Sequence, residues 1–202
     1  MTLVEIAIVG IIIAALGAGG FVAMTSVIST AASTSAVPVA MVDATDVANT
    51  IAAGLRSAAQ CTSGGIVGAA VQAASTNSVT VCTNGTGYTT YSVDGSGNFI
   101  QTTGTLPIGG ATTVTKLDPP TVSLSISYCL STGSSYNITG SLDDSTNSAI
   151  SWVSGTLTTA QLKQVIAAKV TATVTRTFYA GSTSKSYTAE VRLRNSPAFT
   201  LS

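Results

Sequence analysis

The chain has no histidine and little charge: eight Lys or Arg and eight Asp or Glu in 202 residues, for a formal net charge of zero. Without histidine, no Ser-His-Asp or Cys-His pair can be assembled, and the commonest imidazole metal ligand is missing. The acids are spread along the chain and form no ligand set, so no enzyme, cofactor or metal site is expected. Eight cations balanced by eight anions leave no basic patch for phosphate capture, so no specific nucleic-acid partner is expected. There is one Trp, aromatics make up 5%, and prolines number five.

Hydroxyls and apolar side chains are plentiful. Ser and Thr make up roughly 30% of the chain, far above ordinary usage, which gives a surface that is polar without charge. Mean hydropathy is nevertheless positive, +0.47, because of the N-terminus. In Met1-Thr2-Leu3-Val4-Glu5-Ile6-Ala7-Ile8-Val9-Gly10 and onward, Glu5 is the sole charge before Asp43. A carboxylate near a bilayer centre costs roughly 2.5 to 3.5 kcal/mol unless something pairs with it. The stretch itself supplies no partner. A secretory signal would carry basic residues ahead of its apolar run and a small-residue cleavage site after it, and the N-terminal flank has no Lys or Arg. Ile6 to Ile28 is long enough to cross a ~30 Å hydrocarbon core, but simple anchoring leaves Glu5 without a role.

Met1-Thr2-Leu3-Val4-Glu5 followed by the apolar run resembles the mature N-terminus of the type IV pilin and type II secretion pseudopilin superfamily, in which prepilins are cut just before a hydrophobic helix with Glu at its fifth position. The resemblance covers about 30 residues and has Met where Phe is commoner. It implies that residue 1 is a processed end, made by a prepilin peptidase and usually methylated. It also implies that Glu5 pairs with the N-terminal amine, at Met1, of a neighbouring subunit, in a filament core where low dielectric strengthens the pair. Leu55-Arg56-Ser57-Ala58-Ala59 and Val191-Arg192-Leu193-Arg194-Asn195 resemble short stretches of J- and W-type minor pilins and pseudopilins. The choice between major and minor subunit therefore stays open.

Inside the expected helix, Gly17, Gly19 and Gly20 each cost about 1 kcal/mol against Ala. They stand near the place where family members often carry Pro and lose helicity; Val22 is here instead. Residues 15–20 are expected either to extend in the assembled fibre or to allow close helix packing. Pro38 is expected to be a second break. Beyond it Val39, Val42, Asp43, Asp46, Val47, Ile51 and Leu55 recur at helical spacing, predicting an amphipathic half under a globular head. From residue 60 onward turn residues punctuate short strands at 78–83, 88–93, 98–103, 112–116, 121–130 and 149–154. Val122, Leu124, Ile126, Tyr128 and Leu130 alternate with Ser123, Ser125, Ser127 and Cys129, which predicts a sheet with one dry face. The stretches 166–178 and 187–193 alternate in the same way, with Ala180 to Thr183 as their turn.

Three cysteines in a chain expected to be exported favour one disulfide. Cys61 with Cys82 ties the helix exit to the first strand; Cys82 with Cys129 is the alternative. Asn84-Gly85-Thr86 and Asn137-Ile138-Thr139 are glycosylation sequons, with sugar on Ser or Thr as an equal option. Asp94 to Asn98 and Asp143 to Asn147 faintly resemble calcium loops but lack the distal Glu, and such turns form without metal. Trp152 and the tyrosines fit a core better than a contact surface.

The expected fold is α+β. Residues 1–58 form a stalk, with 1–28 as transmembrane or filament core and 39–58 amphipathic, and 59–202 form an antiparallel, mainly β head. The expected function is a structural subunit of an extracellular type IV pilus-like filament, a homo-oligomer assembled from the inner membrane by pilus machinery. A minor pilin or pseudopilin in a tip or secretion complex is the alternative. Adhesion, motility and DNA uptake are family-level roles among which the residues do not choose.

Overall fold

A computed structural model describes residues 3–108, 112–117, 121–131, 150–178 and 181–193. Among these residues one long helix, α1 (Leu3–Ser57), carries a head of nine strands. At 1.5 Å per residue its 55 residues span roughly 80 Å. The first half is rich in Ile, Val, Ala and Leu and has no side-chain hydroxyl to compete for its backbone between Leu3 and Met24.

The helix runs unbroken through Pro38, against the break expected there. Proline removes one backbone donor and crowds the carbonyl four residues earlier. Pro38 and Thr34 are both exposed, so water can serve the Thr34 carbonyl, and the packing that begins at Ala40 holds the following turns in register. Gly17, Gly19 and Gly20 are also helical in the single chain, with open space around them.

The head has two antiparallel sheets. The first has the order β1 (Val71–Ala74), β2 (Ser78–Thr83), β3 (Gly87–Val93), β4 (Phe99–Thr105), β5 (Thr113–Leu117). The second has the order β7 (Ile150–Ser154), β6 (Thr121–Ser131), β8 (Val165–Phe178), β9 (Gly181–Arg192). A four-residue helix, α2 (Thr159–Leu162), begins in a capping box between Thr158 and Gln161. β1 is short, Ala-rich and without alternation, so it escapes sequence reading. The β8–β9 turn also differs from expectation: Ser182 and Thr183 lie within β9, paired with Thr177 and Arg176. Ala180, also expected in that turn, lies outside the described residues.

The lower half of α1 packs on β8 and β9. Its buried stripe is Ala40, Ala44, Val47, Ala48, Ile51, Ala52 and Leu55. Four of these are alanines, whose small side chains let helix and sheet approach closely. Val39 and Val42, expected on that stripe, are 43% and 57% exposed and lie off it. Val122, Leu124, Ile126, Tyr128 and Leu130 of β6 and Ala168, Val170, Ala172 and Val174 of β8 are buried in the same core as this stripe. Full burial of each large aliphatic contributes about 1.5 to 3 kcal/mol.

Two devices join the sheets. The Tyr128 hydroxyl donates to the carbonyl of Ser75, in the turn after β1, at 3.0 Å or of Ser78, the first residue of β2, at 3.2 Å. Along the edge of β6 that β7 leaves open, the amides of Val122 and Ile126 donate to Gly97 and Thr76 carbonyls, both at 2.7 Å. Burial pushes the Tyr128 phenol well above its usual range, although the bond to Ser75 pulls the other way.

Candidate functional site: the uncovered stalk and the head around it

No described side chain of α1 before Ala40 is buried. Ile11, Ile13, Leu16, Phe21, Val22, Met24 and Val27 are each between 64% and 71% exposed. An uncharged window of mean hydropathy 2.2 near the N-terminus, none of it buried, is long and apolar enough to cross a membrane. Large contiguous apolar surfaces of this kind are rare on soluble monomers and mark interaction sites. Met1 and the side chain of Glu5 lie outside the described residues; the Glu5 backbone is helical.

Between Thr25 and Ser35 the stalk turns hydroxyl-rich, and the hydroxyls bond back to their own helix. Thr25 donates to Val22 O (2.9 Å), Ser29 and Thr30 to Ser26 O (both 2.9 Å), Ser33 and Thr34 to Thr30 O (both 2.8 Å), and Ser35 to Ala32 O (3.0 Å). Each of these donors is satisfied without water, so this segment can enter an apolar environment at little cost.

Where stalk meets head, Arg176 near the end of β8 forms an ion pair with Asp43 on α1. Its Nε and Nη2 both lie 2.6 Å from Asp43 Oδ2. The pair clips the β8–β9 hairpin to the helix beside a crevice of about 440 Å³, which Ala32, Ala36, Val39 and Phe178 help to line. Higher up, a Cβ built on Gly54 would overlap the buried Tyr91 ring. Only glycine permits this contact between α1 and β3.

Cys61 and Cys82 form a disulfide with a Cα–Cα separation of 5.7 Å. It ties the segment after α1 to β2, and closing a loop of 21 residues stabilises by about 3 kcal/mol in the chain-entropy model. Cys129 is a free, buried thiol. Burial first, and the charge of Glu190 second, push it up to about 11.

The outer face of the second sheet is a hydroxyl lattice. Thr121, Thr175 and Ser184 lie in one row, Ser123, Thr173 and Ser186 in the next, and Ser125, Thr171 and Thr188 in a third. The rungs between β8 and β9 are hydrogen-bonded at 2.7, 2.8 and 2.9 Å. Lys169 sits 5.1 Å from the centre of the half-buried Trp152 ring. The alternation of Thr and Ser is visible in sequence; which hydroxyl meets which follows from register alone.

Among the described residues no group of three His, Cys, Asp or Glu side chains is placed to hold a metal ion. Asp94 caps its own turn, accepting from the amides of Ser96 (2.9 Å) and Asn98 (2.8 Å) and from the Asn98 side chain (2.8 Å). The second acidic turn, 143–147, lies outside the described residues, as does Asn137. Asn84 is exposed at the β2–β3 turn.

No family model, no curated protein and no solved structure matches this chain. The shape, a long N-terminal apolar helix with an antiparallel β head, is consistent with the general form of the pilin and pseudopilin superfamily.

Proposed function

We propose that this chain is the structural subunit of an extracellular type IV pilus-like filament, held together by packing of its stalks. The observation that carries the proposal is the contrast within α1: a closed core from Ala40 onward, and an unburied apolar surface before it. A bilayer covers that surface in the unassembled subunit. In the filament, neighbouring stalks cover it, and transfer from lipid to protein is driven by close packing and interhelical contact rather than by dehydration. The back-bonded hydroxyls at 25–35 extend the segment able to enter such a bundle.

In this reading Glu5 sets the axial register. Its burial is offset by the amine of Met1 on a neighbouring chain, since an unpaired carboxylate in the core would be costly. Processing by a prepilin peptidase would create that amine, and methylation would leave it charged. Glu5→Ala is expected to leave the protein in the membrane at normal abundance and to abolish fibres. Electron microscopy of shed material, with membrane fractionation, reads both. Normal fibre yield from that variant would refute the role given to Glu5.

A further inference from the structure

We propose that Asn84 is a glycosylation site, carrying an oligosaccharide on its side-chain amide at the far end of the head. This inference rests on export of the head, not on filament formation.

The sequon Asn84-Gly85-Thr86 forms the whole connection between β2, ending at Thr83, and β3, beginning at Gly87. Asn84 and Thr86 are both exposed. Asn84 has φ 53° and Gly85 φ 77°, a left-handed pair that Asn and Gly accept most readily. The loop backbone is fixed from two sides. The Thr62 amide donates to Gly85 O at 2.8 Å, and the Leu106 amide donates to Thr86 O at 2.8 Å. With the backbone engaged inward, the side chains of the acceptor Asn and of the hydroxyl residue two places on are left facing solvent together.

Position strengthens the assignment. The Thr62 contact and the Ala59 amide, which donates to Cys82 O at 3.0 Å, put this turn beside the C-terminal exit of α1. That is roughly 70 Å along the helix from the start of the apolar stalk at Ile8. A glycan there is remote from the stalk surface that needs covering. The nearby Cys61–Cys82 disulfide places the turn in an oxidising compartment, where such transfer takes place.

The donor is an oligosaccharide linked to a membrane lipid through phosphate, used by a membrane transferase. Asn84 Nδ2 attacks the anomeric carbon. The C–N bond forms as the bond from that carbon to the phosphate oxygen breaks, the lipid phosphate leaves with the electron pair, and the amide gives up one proton to the transferase.

The test is peptide mapping by mass spectrometry of the protein purified from the cells that make it. The peptide containing Asn84 is expected to carry a sugar mass that resists alkaline β-elimination. Asn84→Gln and Thr86→Ala are each expected to remove that mass, and Thr86→Ser to retain it. Each variant is checked for fold by its far-UV spectrum and its intact disulfide. An unmodified Asn84 peptide at full yield from the native source would overturn the proposal. A sugar mass wholly released by β-elimination, which would place it on Ser or Thr and leave Asn84 bare, would do the same.

Discussion

The two halves of α1 are built from the same few residue types and meet opposite fates. Residues 40–57 bury Ala, Val, Ile and Leu on one side and place Asp46, Asn49 and Arg56 on the other. Residues 8–24 are apolar all round, and the membrane-length window they belong to buries nothing within the subunit. A helix that is apolar on one side is completed by one sheet, whereas a helix that is apolar on every side needs surroundings. The packed half stabilises the head; the bare half leaves the molecule unfinished when alone.

The largest effect that separates the halves is a paired truncation. Leu55→Ala is expected to destabilise the detergent-solubilised subunit by about 2–5 kcal/mol, as cavities in closed cores do. Leu16→Ala, with the same atoms removed from the stalk, is expected to change it by less than about 0.5 kcal/mol. Chemical denaturation followed by Trp152 fluorescence measures both. Equal losses would mean that the stalk is part of the subunit's own core.

Alkaline pH draws the same line. There is no titratable side chain from Ile6 to Val42, so any pH-dependence from side chains in that range of the helix is absent and the effect belongs to the head. Cys129 has its thiol raised from 9.0 to about 11. Below pH 9 the thiol is protonated in both states and its contribution is fully present. Between pH 9 and 11 only the unfolded chain releases the proton, so stability falls, by about 2–3 kcal/mol if the shift is fully expressed. Denaturation midpoints in that window should drop in the wild type and drop less in Cys129→Ala. The native thiol should also react slowly with aromatic disulfide reagents.

A smaller change tests the closeness of the packed half. Gly54→Ala gains helix propensity of about 1 kcal/mol but pushes a methyl into the Tyr91 ring, a strain of about 1–3 kcal/mol. The expected net is a destabilisation of about 1 kcal/mol, relieved in the Gly54→Ala/Tyr91→Leu double variant, which removes the ring carbons that lie 2.6 Å from the added Cβ. The smallest expected effect is at the boundary. Asp43→Asn should cost no more than about 1 kcal/mol, because both partners are partly exposed, and the difference should shrink in high salt.

These same regions differ in how far their residues announce them. The strands with clean alternation, β6, β8 and β9, are plain in sequence because period-two burial leaves a direct signature in residue type. The stalk is plain for a similar reason, since so long an apolar run without charge is at home only in a bilayer or among other apolar helices. The orientation of the packed half is only partly readable: alanine is too small to announce itself as core, and the valines at 39 and 42 lie off the buried stripe. Pro38 misleads because a local preference is outweighed by packing that starts two residues later. The Asp43–Arg176 clip, the hydroxyl rungs and the Tyr128 bridge join residues far apart in the chain and depend on register and sheet docking, for which one sequence carries no mark.

The most direct measurement is a helical reconstruction, at side-chain resolution, of the filament proposed for this chain. The expected map has the apolar segment from Ile8 to Ile28 packed against the same segment of neighbouring subunits along the filament axis. In that map the amine of Met1 lies within ion-pair distance of a neighbour's Glu5, and the heads face outward. A map in which the stalks stand apart from one another, with the heads alone making the contacts, would contradict assembly through α1.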